Sequence, residues 1–396
     1  MTATSTPPRG TDVLRRARGR LAPSGPWHGE ALVVLVLTSL LLVLGLVMSL
    51  SASLAADAAA GSPFSTFQRQ AMWAVLGLGA MFLAARTDHR VWRPLSWLLL
   101  LAAVVGLVLV LVPGVGLEED GSTRWIAVGP LIVQPSEIAK LATLLWLADV
   151  AARKRSWTRG DDLDLRHLLV PALPLLALLA VLVMLQPDLG TTLLLALIVG
   201  LVLWFEGIPL RLVGVGVAVG GVLTVLAIIG AGYRMARIEG WLHPEADPLG
   251  SGYQLLQSLY ALGSGGWFGL GLGSSRGKWD FIPNPETDFI FAIIGEELGL
   301  VGGLVVLGLF TALLAVGLRI ARGAPDTFGR IVAAGVTAWL VGQALLNIGT
   351  VTGLLPITGV TLPLVSVGGS SLVSTLLAIG ILISIARARP TPVEET

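Results

Sequence analysis

The chain has 396 residues, of which 54% are apolar and 13% charged, with a formal net charge of +1 and no cysteine. Soluble domains carry about 25% charged residues, so a water-soluble fold is excluded, and the long uncharged runs of Leu, Val, Ala and Gly lack the alternation of a membrane β-barrel. Without cysteine there is no disulfide, thiolate metal site or cysteine nucleophile, and the balanced charge leaves no basic footprint for nucleic acid.

Residues 1–30 are rich in Pro, Gly, Thr and Arg and are expected to form a disordered, basic cytoplasmic tail. The first apolar run, about Ala31 to Ala55, exceeds the roughly 7 to 15 residues of a signal-peptide core and reads as a retained first span. Further apolar runs follow at about 70–85, 95–112, 136–151, 168–185, 189–205, 209–231, 288–318, 331–350 and 370–386. Each approaches the ~20 residues that cross hydrocarbon as a helix. The expected fold is an all-α, polytopic membrane protein of about ten transmembrane helices over residues 31–388, with a short cytoplasmic tail at 389–396.

Basic residues orient it. Nineteen of the 26 Lys and Arg fall on one side of that topology, among them Arg86, Arg90, Arg93, Arg153, Arg319, Arg322 and Arg387. By the positive-inside rule both termini are expected in the cytoplasm. Two long loops then face outward, about Pro113 to Pro135 and Gly232 to Thr287. The second contains an apolar stretch, Tyr253 to Gly273, too short and too broken by glycine to span, which is expected to lie as an interfacial or re-entrant helix against the bundle.

The stretch most promising for chemistry runs from Ile282 to Gly299, where an outer polar loop turns into the eighth span. Asp288 sits at the junction. Thr287 or Asp288 is expected to cap the helix, and a carboxylate there is favoured by the helix dipole. The same arrangement would hold Asp288 ionised as a general base. Glu296 and Glu297, one to two turns deeper, read as structural counter-ions, because intramembrane carboxylates persist when paired.

At the start of the fourth span, Ser136 is a candidate N-cap, and Glu137 with Lys140 forms an i,i+3 pair. Lys140 is the one basic residue inside a span, so anion binding is the competing reading. In Gln186-Pro-Asp-Leu-Gly190, Asp188 is expected to cap the sixth helix. The glycine-rich run from Gly263 to Lys278 fails the spacing of a nucleotide-binding phosphate loop. Arg276 and Lys278 within it suit an anionic lipid headgroup, and a flexible linker is the alternative. The loop from Leu355 to Ser371, uncharged and rich in hydroxyls, could line a cavity, with Ser370 as a candidate contact.

Together these stretches resemble the SEDS family of membrane glycosyltransferases. The resemblance rests on Arg124-Trp-Ile, Gln134-Pro-Ser-Glu-Ile-Ala-Lys140, Gln186-Pro-Asp-Leu-Gly190, Asp247-Pro-Leu-Gly-Ser-Gly-Tyr-Gln254, Gln257-Ser258, Thr287-Asp-Phe-Ile-Phe-Ala292, Glu296-Glu-Leu-Gly299 and Gly368-Gly-Ser-Ser371, in family order. The run from Asn347 to Gly359 is closer to the division (FtsW-like) branch than to the elongation (RodA-like) branch, and Asn284 resembles actinobacterial members. Glu286 stands where many relatives carry His, and Val367 where an aromatic residue is common.

The resemblance implies polymerisation of lipid II into glycan strands for septal cell-wall synthesis, at the outer face of the bacterial plasma membrane. An acceptor 4-hydroxyl attacks the anomeric carbon of an undecaprenyl-diphosphate-linked glycan and expels the diphosphate. Asp288 matches the family's catalytic aspartate. Arg124, Lys140, Arg276, Lys278 or a divalent cation (Mg or Mn) would answer the charge on the leaving group, with Glu137 and Ser370 as further substrate contacts. A class B penicillin-binding transpeptidase (FtsI-like) and other divisome proteins are the implied partners. A lipid II flippase and a non-enzymatic division scaffold are the rival readings.

Overall fold

A computed structural model describes residues 27, 29–119, 121–129, 131–155, 165–229 and 232–388. The expected terminal tails therefore lie almost wholly outside the described residues. The elements run α1 (Glu30–Ala59), α2 (Ser65–Arg86), α3 (Trp92–Val110), β1 (Gly116–Glu119), β2 (Ser122–Val128), β3 (Leu131–Val133), α4 (Pro135–Arg155), α5 (Leu165–Met184), α6 (Leu189–Phe205) and α7 (Leu210–Ile229). They continue with α8 (Gly232–Leu242), α9 (Tyr253–Ser264), α10 (Ile290–Arg322), α11 (Thr327–Val351) and α12 (Gly369–Arg387). Helices dominate because hydrocarbon offers no partner for backbone N–H and C=O groups, so a spanning segment must satisfy them internally.

Among the described residues, five helical stretches are both long and apolar enough to cross a membrane: Glu30–Ala59, His89–Val110, Ile290–Arg322, Thr327–Val351 and Gly369–Arg387. Shorter apolar helices cover Leu169–Met184, Leu189–Phe205 and Gly214–Val225. The protein is thus a multi-pass, mostly helical membrane protein. The expected fourth span, α4, carries Glu137, Lys140, Asp149 and Arg153 and so falls outside that set. Its faces are covered by protein rather than lipid, with Ala139, Leu144, Leu145, Leu147 and Ala148 fully buried.

The bundle has a centre and a rim. The most apolar window of α11 is 78% buried and that of α12 72%, against 28% for the stretch containing α3. Small residues let the central helices approach, and Trp339, Phe328 and Leu376 fill the space between them.

The all-α expectation needs one correction. The loop between α3 and α4 folds into a three-stranded antiparallel sheet in the order β1-β2-β3, with Gly116 opposite Ile126 and Ile126 opposite Val133. Its sequence, Ser-Thr-Arg-Trp-Ile-Ala-Val over β2, is rich in the β-branched and aromatic residues that favour strands. Gly121 at φ 71° makes the turn between β1 and β2.

The long segment between α7 and α10 is ordered by helices, as expected for its apolar part. α9 covers Tyr253–Ser264 and buries Leu255, Leu256, Ser258 and Ala261. Beyond it the glycine run enters the side of α10. That helix is broken at Gly299, whose φ is 69° and ψ −166°. Leu270 and Gly271 N–H donate to the carbonyls of Glu296 and Glu297, and Leu300 and Val301 N–H donate to the carbonyls of Gly266 and Trp267. A Cβ on Gly269 would lie 2.1 Å from the Glu297 carbonyl oxygen, and one on Gly299 2.4 Å from the Gly269 nitrogen. The glycines are there for close backbone approach, not for a flexible linker.

Candidate functional site

Asp288 lies in the loop two residues before α10, and the loop is fastened on both sides. The Asn347 side-chain amide of α11 donates to the Asp288 carbonyl at 2.8 Å and to the Val360 carbonyl at 2.7 Å. The Ser366 hydroxyl donates to the Thr287 carbonyl at 2.6 Å and accepts from Leu362 N–H at 2.8 Å. Val367 N–H donates to the Glu286 carbonyl at 2.9 Å. The Asp288-bearing loop and the hydroxyl-rich loop before α12 thus form one backbone unit hung on Asn347.

The capping expectation is corrected: no side chain caps α10, whose N-cap position is Phe289. The Thr287 hydroxyl instead donates to the Asn284 carbonyl at 3.2 Å. The Asp288 carboxylate is left available for chemistry. Its ionisation also differs from expectation. Burial pushes its carboxyl up to about 6, an effect that Arg124 and Arg237 oppose and that Asp188 and Glu286 reinforce by like charge. A base of that strength exchanges protons near neutral pH. Glu286 is itself raised above the usual carboxylate range, mainly by burial.

Asp188 caps α6 as expected, accepting from Thr191 N–H at 2.9 Å and from the Thr191 hydroxyl at 2.8 Å. Arg124 projects from β2 and donates to the carbonyls of Gln186 and Pro187 at 3.1 and 2.6 Å. The guanidinium therefore clips the sheet onto the turn before α6 while its charge reaches Asp288.

Glu137 and Lys140 pair at 2.9 Å, with Lys140 only 1% exposed. The ammonium also donates to Gln343 Oε1 at 3.0 Å and lies 5.2 Å from the centre of the Trp339 ring. Its protein partners thus account for its retention inside the bundle. Ser136 is not an N-cap. It sits inside the first turn, its hydroxyl without a hydrogen-bond partner among the described residues. The Ser370 hydroxyl accepts from Gln134 N–H at 3.0 Å and so ties the start of α12 to the start of α4.

Glu296 accepts from the Ser275 hydroxyl at 2.5 Å and from Arg276 N–H at 3.0 Å. Glu297 accepts from the Ser51 hydroxyl of α1 at 2.7 Å and from Ser275 N–H at 3.1 Å. Lys278 lies 3.8 Å from Glu297, is 6% exposed, and donates to the Gly273 carbonyl. Glu297 thus has a cation nearby, as a counter-ion would, whereas Glu296 is held by neutral hydroxyl and backbone N–H donors. Lys278 is internal to this latch, which runs against a headgroup contact, whereas the Arg276 side chain is exposed.

Sequence reasoning passed over Arg237, Asn347 and Gln343. The last two had a signal, as amides one helical turn apart in an otherwise apolar run. Arg237 had none, because its proximity to Asp288 arises from the packing of α8. Among the described residues no cluster of three or more His, Cys, Asp or Glu is placed to hold a metal ion. The oxygens of Asp188, next to the site, are already engaged by Thr191. Among the described residues the side chains do not form a protein cage for a divalent cation.

Comparison with known proteins gives this arrangement a lineage. The chain is 44% identical over 363 residues to stage V sporulation protein E of Bacillus subtilis, covering 90% of this chain and 96% of that protein. It is 42% identical over 374 residues to the probable peptidoglycan glycosyltransferase FtsW of Mycobacterium tuberculosis, covering 93% of this chain and 71% of that one. Among solved structures, a chain of a peptidoglycan synthase complex that coordinates polymerization and crosslinking superposes with a TM-score of 0.72 at 33% identity, over 90% of this chain and 97% of that chain. The rod shape determining protein RodA of Thermus thermophilus superposes with a TM-score of 0.66 at 30% identity, over 93% and 98%. The model of the FtsW/RodA/SpoVE family, described as cell cycle protein, matches residues 31–391, and the chain belongs to that family.

Proposed function

We propose that the chain is an FtsW-like peptidoglycan glycosyltransferase that polymerises lipid II into glycan strands, with Asp288 as its general base. The observation that carries the role of Asp288 is its carboxylate, presented on a backbone unit fastened by Asn347 and Ser366, unspent on capping, and tuned to about 6. The acceptor 4-hydroxyl loses its proton to Asp288 as its oxygen bonds to the donor's anomeric carbon. The bond from that carbon to the diphosphate oxygen breaks, and the electron pair leaves with the polyprenyl diphosphate. Arg124 and Arg237, whose charges both reach Asp288, supply positive charge to the site. Glu137 and Lys140, paired with each other, and Ser370, bonded to Gln134, brace the bundle rather than touch the reacting atoms. Arg276, exposed at the edge of the glycine latch, is the better placed of the two loop cations to meet substrate.

The helices cross the membrane about ten times, with both tails in the cytoplasm and the loop of residues 232–287 outside. Asp288 then works at the outer face. The positive-inside distribution of the sequence supports this orientation. The synthase complex among the similar structures supports a crosslinking transpeptidase of the class B penicillin-binding type as partner, and resemblance to FtsW supports a place at the division septum with other divisome proteins.

A transport assay separates this reading from a flippase. Labelled lipid II is enclosed in proteoliposomes, and glycan chains and headgroup translocation are scored in the same vesicles. Chain formation is expected. Translocation without chains would establish the transporter instead.

A further inference from the structure

Arg237, whose charge reaches Asp288, also lines a cleft. It encloses about 290 Å³ and is lined by Ala236, Arg237, Ser251, Tyr253, Gln254 and Pro283, among others. Its far wall is the Asp247-Pro-Leu-Gly-Ser-Gly-Tyr-Gln254 motif, and Pro283 belongs to the loop that leads to Asp288.

The cleft is built, not incidental. A Cβ on Gly240 would lie 2.2 Å from the Ser251 carbonyl oxygen, and one on Gly252 2.0 Å from that of Pro244, so α8 and the motif touch backbone to backbone. Asp247 holds the motif's turn by accepting from Ser251 N–H at 2.8 Å. Trp241 Nε1 donates to the Gly353 carbonyl at 2.8 Å, and the Ser258 hydroxyl donates to the Val351 carbonyl at 2.7 Å. Both walls are thereby bolted to the end of α11.

Two cations reach Asp288 with their charge, Arg124 and Arg237. The first is committed to the carbonyls of Gln186 and Pro187. The Arg237 side chain is exposed, and no hydrogen bond or ion pair joins it to another described residue. Among the described residues no carboxylate lines the cleft. An exposed guanidinium flanked by a hydroxyl and an amide suits an oxygen-rich anion, and the diphosphate of the proposed lipid-linked substrate is such a group.

We infer that the Arg237 cleft is a diphosphate subsite, in which the guanidinium, the Ser251 hydroxyl and the Gln254 amide take the phosphoryl oxygens of a lipid-linked sugar. This rests on the polymerase reading for its substrate, but not for its test. A guanidinium meets phosphate through paired N–H donors in a planar fork, a geometry that lysine lacks.

The test is equilibrium binding of radiolabelled undecaprenyl diphosphate to the purified full-length protein in detergent, with undecaprenyl monophosphate, inorganic pyrophosphate and phosphatidylglycerol as competitors. Arg237→Ala is expected to weaken binding at least tenfold, Arg237→Lys to fall between, and Arg322→Ala at the opposite end of α10 to change nothing. Ser251→Asp, which sets a carboxylate in the cleft, gives a second route to the same loss should Arg237→Ala fail to fold. Wild-type affinity in a folded Arg237→Ala variant overturns the inference. So does phosphatidylglycerol competing as well as the diphosphate, since the cleft would then be a general anionic-lipid site. Absence of chain synthesis by the wild type would sink the polymerase reading while leaving this binding comparison intact.

Discussion

At the scale of single residues, the site joins a tuned carboxylate to a rigid mount. Only the ionised form of Asp288 accepts a proton, and its carboxyl is pushed up to about 6. The polymerisation rate at low substrate is therefore expected to rise with pH through about 6 and to level off above it. The like charge of Glu286 contributes to that elevation, so Glu286→Gln is expected to move the midpoint to lower pH. A rate profile of both proteins from acid to neutral checks the position and the direction. Asp288 was legible in the sequence as a carboxylate at a loop-to-span junction. Its environment was not, because burial and the charges of Arg124, Arg237 and Asp188 come from segments far apart in the chain. The same limit applies to the helix dipole, which suggested a stabilised carboxylate where burial prevails.

At the scale of elements, two internal braces hold the site. The Glu137–Lys140 pair is buried, and removing one partner of such a pair costs about 3–5 kcal/mol because a charge is stranded. Lys140→Met is expected to lower the midpoint of thermal unfolding in detergent, and adding Glu137→Gln to recover much of the loss. An additive second drop would show that the two residues do not act as a pair. The glycine latch at the break in α10 is the other brace. Gly269, at φ 79°, faces the Glu297 carbonyl oxygen at the position a Cβ would need. Gly269→Ala is expected to unfold at a lower temperature and to lose activity with it, as the hydrogen bonds from Leu270 and Gly271 are prised open. The apolar, glycine-broken character of this stretch was readable in sequence. Its union with α10 was not, since a backbone ladder between a loop and a broken helix leaves no periodic trace. The sheet at Arg124 was missed because short strands between membrane helices carry a weaker signal than ~20-residue apolar runs.

At the scale of the whole molecule, the order of helices followed from hydropathy, because the bilayer makes span length a physical requirement. The charged α4 shows where that logic stops, for a helix enclosed by others need not be apolar. The absence of native cysteine makes orientation directly measurable. Ser274→Cys in the latch is expected to react with a membrane-impermeant maleimide from outside intact cells, and Arg322→Cys only after the membrane is opened. Whether this bundle mounts Asp288 to polymerise lipid II is read from the glycan product made from lipid II by the purified wild type and by Asp288→Asn. Chains are expected from the wild type and, from an equally well folded variant, a rate at least about 100-fold lower, the loss that removing a general base produces. Chains of wild-type length and rate from Asp288→Asn would contradict that role.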